Sequence, residues 1–240
     1  MTGASQGIGK ACALTLAKHG AKVVAAARTE EKLKAVAAEA EGTIVPIRCD
    51  ATDEASVDAM FARIKDELGR IDVVFNNAGA NMPGTDVGDI EFAEWRRVVG
   101  TNLDACFLVA RGAYRLMREQ SPKGGRIINN GSISAHAPRP GSIAYTASKH
   151  AITGLTKTIS LDGRKHDIAC SQIDIGNAQT DMASRMAHGV PQANGEIAPE
   201  PLMDVQVVAD TLLYMAGLDL DANAQFLTIM ATKMPFVGRG

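Results

Sequence analysis

Tyr145 and Lys149 stand four residues apart in Tyr145-Thr146-Ala147-Ser148-Lys149, at the start of a segment of helical period. That spacing sets both side chains on one side of a helix, a turn apart. A phenol that ionises near its ordinary value of about 10 is a poor base at neutral pH. A neighbouring ammonium stabilises the phenolate and brings proton transfer into the working range. Ser132 closes the apolar run Arg126–Gly131, where its hydroxyl could hold a substrate oxygen while charge develops on it. Asn102, in Gly100-Thr101-Asn102-Leu103, is expected at or near the start of another helix.

An isolated Tyr-x-x-x-Lys is common on protein surfaces, so its meaning depends on a second feature at the other end of the chain. Thr2-Gly3-Ala4-Ser5-Gln6-Gly7-Ile8-Gly9 is a glycine turn running into the apolar-periodic segment Ile8–Lys18. Glycines permit a tight turn and let backbone N–H groups approach a pyrophosphate. The helix N-terminus that follows adds unpaired donors and a favourable dipole. The next expected strand ends in Ala27, followed by Arg28, with no carboxylate before Glu30. A carboxylate there would repel a 2′-phosphate and a guanidinium would grip it. Arg28 therefore favours NADP(H) over NAD(H), the alternative being a solvated charge at a helix start.

The elements that must carry these residues follow from the pattern of short apolar runs between longer segments of helical period. Strands are expected over Lys22–Ala27, Thr43–Cys49, Ile71–Asn76, Arg126–Gly131, Ile168–Ile175 and Gln225–Met230. Helices are expected over Thr29–Ala40, Asp53–Leu68, Ala144–Asp162 and Asp204–Leu218, with Asp53 as an N-cap. In Asp53–Leu68 the residues Val57, Met60, Phe61, Ile64 and Leu68 share one face. This is α/β, a doubly wound parallel sheet of Rossmann type with helices on both faces. A strand normally precedes a glycine turn, but only Met1 and Thr2 precede Gly3. The first strand is accordingly expected to be truncated.

Composition narrows the function classes. The chain has 240 residues, 46% of them hydrophobic, and a formal net charge of −2, which supports no nucleic-acid or membrane-surface role. No apolar run reaches the length of a membrane span. Cys12, Cys49, Cys106 and Cys170 have neither metal-ligand nor redox spacing, so buried thiols and no metal are expected. Residues 1–240 read as one cytoplasmic domain, with 182–203 a mobile lid over the substrate. Met182, Met186, Val190 and Ile197 could give that lid an apolar inner face or could be ordinary loop packing. Asn81, Met82, Ser134, His136 and Ser142 are expected near the pocket. His136 could donate to a polar substrate or lie exposed in its loop.

Taken together and in order, Thr2–Gly9, Cys49-Asp50-Ala51-Thr52, Asn76-Asn77-Ala78-Gly79, Asn102, Ser132, Tyr145 and Lys149 resemble the short-chain dehydrogenase/reductase family over essentially the whole chain. The resemblance implies hydride transfer between a nicotinamide cofactor, NADP with NAD possible, and a small-molecule alcohol or carbonyl. It implies an Asn102–Ser132–Tyr145–Lys149 tetrad. In it Tyr145 is the acid/base, Ser132 orients the carbonyl, and Lys149 favours the phenolate and binds the nicotinamide ribose. Asn102 holds a relay water. The resemblance also implies cofactor contacts from Gly3, Ser5, Gln6, Gly7, Ile8 and Gly9 in the turn, from Arg28, Asp50 and Ala51, and from Asn77, Ala78 and Gly79. Further contacts would come from Gly176, Ala178 and Thr180 beside the nicotinamide. Two departures stand out: Ile175-Gly176 where relatives have Pro-Gly, and a C-terminal end, Ala231–Gly240, without the usual Asp-Gly-Gly. A homo-oligomer, tetramer or dimer, through Thr101–Glu119 and Ala144–Asp162 is implied as well. A 3-oxoacyl thioester reductase and a cofactor-sensing protein without catalysis are the competing readings.

Overall fold

The computed structural model describes residues 1–40, 42–180, 183, 186 and 188–237. In chain order the elements are α1 (Gly7–Lys18), β1 (Val23–Ala27), α2 (Glu30–Glu39), β2 (Ile44–Arg48), α3 (Glu54–Leu68), β3 (Val73–Asn76) and α4 (Phe92–Val99). They continue with α5 (Ala105–Glu119), β4 (Gly125–Asn130), α6 (Ile143–Gly163), β5 (Ile168–Ile175), β6 (Val190–Pro191), β7 (Ile197–Ala198), α7 (Val205–Ala216) and β8 (Phe226–Ile229). Strands β3, β4, β5 and β8 pair in parallel in that order, and β1 pairs in parallel with β2. Between the two groups lies Met1–Ala4. The Thr2 N–H donates to Phe75 O (3.1 Å), Ala26 N–H to Met1 O (2.9 Å) and Ala4 N–H to Ala26 O (3.2 Å). The short stretch at the expected position of the first strand thus joins β1 to β3.

Alternation along the strands sends neighbouring residues to opposite faces. Val74 and Ile127 pack with α3 and α5 residues such as Phe61, Val109 and Ala113. Their neighbours Phe75 and Ile128 pack on the other face with Cys12 of α1 and Val208, Leu212 and Met215 of α7. The face expected for Asp53–Leu68 is confirmed: Val57, Met60, Phe61 and Ile64 are buried and Asp53 accepts from Ala55 N–H (3.1 Å). At the α3–α5 crossing, a Cβ on Gly112 would lie 2.3 Å from Phe61 Cδ2. Gly112→Ala is therefore expected to lower stability by about 1–3 kcal/mol through overpacking, read as a shift of the urea midpoint with an unchanged slope.

Two expectations need correction. The strand expected from Ile71 starts at Val73, because Gln120 takes the Ile71 backbone: its Oε1 accepts Ile71 N–H (2.9 Å) and its Nε2 donates to Ile71 O (3.0 Å). Asn102 does not sit at a helix start. Helix α4 runs through a π-helical turn, Gly100–Asp104, straight into α5. Such a turn inserts an extra residue and re-aims side chains, and it is frequent at functional sites.

All four cysteines are buried and unpaired, and burial pushes the Cys12 and Cys106 thiols up to about 12. Among the described residues no helix is long and apolar enough to cross a membrane.

Candidate active site

A cleft of about 1170 Å³ opens along the C-terminal ends of β1, β3, β4 and β5. Ligands bind at this edge in open parallel sheets, where strand order reverses. Its floor is the glycine turn. Gly3 and Gly7 have φ of 63° and 54°, which a side chain would strain. A Cβ on Gly9 would lie 2.2 Å from Gly3 O and 2.7 Å from Asn77 Nδ2. Thr2 Oγ1 accepts the N–H groups of Asn77 (2.9 Å) and Ala78 (3.0 Å), and Asn77 Nδ2 donates to Thr2 O (3.1 Å). The turn is thereby stitched to Asn77-Ala78-Gly79 with no room for a side chain between. Gln6, the N-cap residue of α1, makes no side-chain cap bond, which leaves the first-turn N–H groups for an anion. This cradle fits a dinucleotide pyrophosphate.

Further along the cleft, Arg28 and Lys32 line the wall beyond β1, and Lys32 Nζ donates to Gln6 Oε1 (3.0 Å). Asp50 and Ala51 stand opposite, at the end of β2. The Thr52 hydroxyl (2.7 Å) holds the Asp50 carboxyl below the usual carboxylate range, with smaller help from Thr52 N–H, Arg28 and Arg48.

At the other end, Ser132, Tyr145 and Lys149 line one wall. Lys149 is 5% exposed, its Nζ donates to Asn130 O (2.7 Å), and it sits 5.5 Å from the Tyr145 ring centroid. A buried ammonium with a single carbonyl partner keeps N–H groups for a ribose or a phenolate. Asn130 Nδ2 also donates to Asn77 Oδ1 (2.8 Å), which links the lysine anchor to the turn. Asn102 lies behind the wall rather than in it. Its Oδ1 accepts Ala80 N–H (2.7 Å), and its Nδ2 donates to Ala80 O (3.0 Å) and Ser148 Oγ (3.1 Å). Gly176, Ala178 and Thr180 reach the cleft. Ala178 and Met203 form a parallel bridge there.

The substrate end departs from several expectations. Asn81 and Ser134 line the cleft, whereas Met82 is buried against Val98 and Ala144. Ser142 turns away to Arg139 O (2.7 Å). His136 meets Asp174. Of the residues expected to face inward from a lid, Met186 lines the cleft and Val190 is buried, but Ile197 is 66% exposed in the hairpin β6–β7 and gives no inner face. Met182 lies outside the described residues. Sequence reasoning missed Arg139, whose guanidinium meets the buried Glu200 carboxylate and Asn177 Oδ1 (2.9 Å) at the cleft edge. A charged residue between two prolines, Pro138 and Pro140, gave no periodic signal.

The pattern of the short chain dehydrogenase family matches residues 1–190. The chain belongs to that family. As a short-chain dehydrogenase it is an oxidoreductase of CH–OH groups built on a Rossmann-type NAD(P)-binding fold. It is 37% identical over 203 residues to a 3beta-hydroxysteroid dehydrogenase of Mediterraneibacter gnavus, covering 83% of this chain and 72% of that one. A solved acetoin dehydrogenase from Salmonella typhimurium is 29% identical, with a TM-score of 0.80 and coverage of 98% and 96%. A variant of actinorhodin polyketide ketoreductase, solved with NADPH, is 26% identical, with a TM-score of 0.85 and coverage of 95% and 94%.

Proposed function

We propose that this short-chain dehydrogenase is an NADP(H)-dependent carbonyl reductase or alcohol dehydrogenase with Tyr145 as its general acid/base. The observation that carries the reading is the shared wall formed by Ser132, Tyr145 and Lys149 in a cleft whose floor is the glycine turn. When bound, NADP(H) supplies or accepts a hydride at C4 of its nicotinamide. The chain's own residues do the rest. Ser132 holds the substrate oxygen, Tyr145 gives that oxygen a proton or takes one from it, and the Lys149 ammonium favours the phenolate. Lys149 also grips the nicotinamide ribose. The family resemblance gives Asn102 a relay water. With its amide taken by Ala80 and Ser148, Asn102 also braces the helix that carries Tyr145 and Lys149. Gly3–Gly9 would cradle the pyrophosphate, Asp50, Ala51 and Asn77–Gly79 the adenosine, and Gly176, Ala178 and Thr180 the nicotinamide side. Residues 1–240 act in this reading as one domain with 182–203 as its lid. In this reading the protein is a cytoplasmic homo-oligomer, and its contacts through α5 and α6 draw on the exposed Phe107 and Leu161 of those helices.

NADPH oxidation with 2,3-butanedione, a 3-oxosteroid and a 3-oxoacyl thioester tests the reaction class. Turnover of none of them, or of one of them undiminished in Tyr145→Phe, refutes it. The cofactor preference rests on Arg28 at the end of β1. Arg28→Ala is expected to weaken NADPH binding about tenfold, the lower range for a charge-assisted bond at an exposed site. NADH binding should hold. Equal loss for both nucleotides in a fluorescence titration would reject the 2′-phosphate contact.

A further inference from the structure

Asp174 is a carboxylate near the C-terminal end of a buried strand, 1% exposed, with no part in the reaction described above. A buried charge is costly unless it is paired and hydrogen-bonded, so its partners show what it is for. Its Oδ1 accepts the backbone N–H of Ser132 (2.9 Å) and the Gln172 amide (2.7 Å). Its Oδ2 meets His136 Nε2 at 2.8 Å. Among the described residues His136 is the only basic group within ion-pair reach of Asp174. Its ring is half exposed and sits edge-on to Phe236, 6.3 Å between centroids. The chain is shaped around this carboxylate. A Cβ on Gly131 would lie 2.0 Å from Asp174 Oδ1, so the residue before Ser132 must be glycine while Asp174 stays in place.

The consequence falls on Ser132. Held by Asp174 through its N–H, Ser132 keeps an extended backbone (φ −169°, ψ 153°), and its Oγ accepts Ser134 N–H (3.1 Å). Acting there as an acceptor, the hydroxyl keeps its own proton for a substrate oxygen. We infer that Asp174 is a positioning residue for Ser132, with His136 as the hydrogen-bonding partner that holds its second oxygen. The inference rests on the role given to Ser132 in the proposed function. The His136 contact fixes the second carboxylate oxygen and so the direction in which the first meets the Ser132 N–H. Gln172, one strand period away, adds a second anchor by donating also to Thr153 Oγ1 of α6 (3.1 Å).

The test uses the purified full chain with NADPH, and 2,3-butanedione and ethyl acetoacetate as probes. Asp174→Ala is expected to lower kcat about 10²-fold, the cost of a small misplacement of a reacting group, with NADPH affinity unchanged. Asp174→Asn should recover most of kcat, since its side-chain oxygen still accepts the Ser132 N–H. In a Ser132→Ala background Asp174→Ala should cost nothing further. His136→Leu should lower kcat, and His136→Gln, which keeps a donor, should restore it. Should Asp174→Ala fail to fold, Gly131→Ala carries the test, because its methyl group must displace the same carboxylate. The inference is overturned by an undiminished kcat in Asp174→Ala or Gly131→Ala. It is equally overturned by an Asp174→Asn as impaired as Asp174→Ala, or by a full loss that persists without the Ser132 hydroxyl. Unchanged turnover in His136→Leu removes His136 from the arrangement. If Tyr145→Phe and Ser132→Ala themselves keep full activity, the proposed function has failed. If they lose it while the Asp174 variants do not, only this inference has.

Discussion

Tyr145→Phe is expected to lower kcat for NADPH-dependent carbonyl reduction by about 10²–10⁴-fold, the usual contribution of a positioned general acid, while NADPH binding stays as it was. The substitution removes one hydroxyl and keeps the ring that packs against Met82, Val98 and Ala144, so the fold should be indifferent to it. Ser132 can hold the substrate oxygen, but a serine hydroxyl is far too weak an acid to replace the phenol. Loss confined to kcat would mark an interaction made only in the transition state. A rise in KM alone, with kcat intact, would assign the tyrosine to substrate binding and refute its role as acid.

Lys149→Met is expected to lower kcat by about 10²–10³-fold, the range for removing one preorganised electrostatic donor, and to weaken NADPH binding as well. Methionine keeps the apolar stem, so most of the packing at this 5% exposed position survives. What disappears is a positive charge 5.5 Å from the tyrosine ring and the donor to Asn130 O. The phenolate then loses its stabilising neighbour, and the site loses a donor to the ribose. The joint effect on kcat and on cofactor affinity distinguishes Lys149 from Tyr145. Lys149→Arg should not restore activity, because a planar fork cannot replace a compact ammonium in so buried a place. Steady-state kinetics beside a fluorescence titration of NADPH measures both effects, and unaltered cofactor binding would withdraw the ribose contact.

Much of this site was legible in the sequence because it depends on short-range spacing. Tyr145 and Lys149 share a side of α6 by helical geometry alone, and Gly3, Gly7 and Gly9 mark a turn that tolerates no side chains. The strand runs were legible from hydrophobicity to within a residue or two at their ends, and at Ile71 a distant side chain, Gln120, takes the backbone groups. Asn102 was misplaced for a similar reason: nothing in Gly100–Asp104 announces a π turn inside a continuous helix. Composition marked 182–203 as a long loop, but composition does not say which way Ile197 points.

The sequence by itself determined the fold class, the glycine turn and the Tyr–Lys pair, since each is encoded within a few residues and enforced by local geometry. Only the tertiary structure decided that Ser132 and Asp174, 42 residues apart, meet through a backbone N–H. It also decided that Gly131 is small to admit that carboxylate and that His136 faces it. Register between β4 and β5 brings these residues together. Register is a property of the assembled sheet, set by the packing of both faces at once, and no local pattern in either strand contains it.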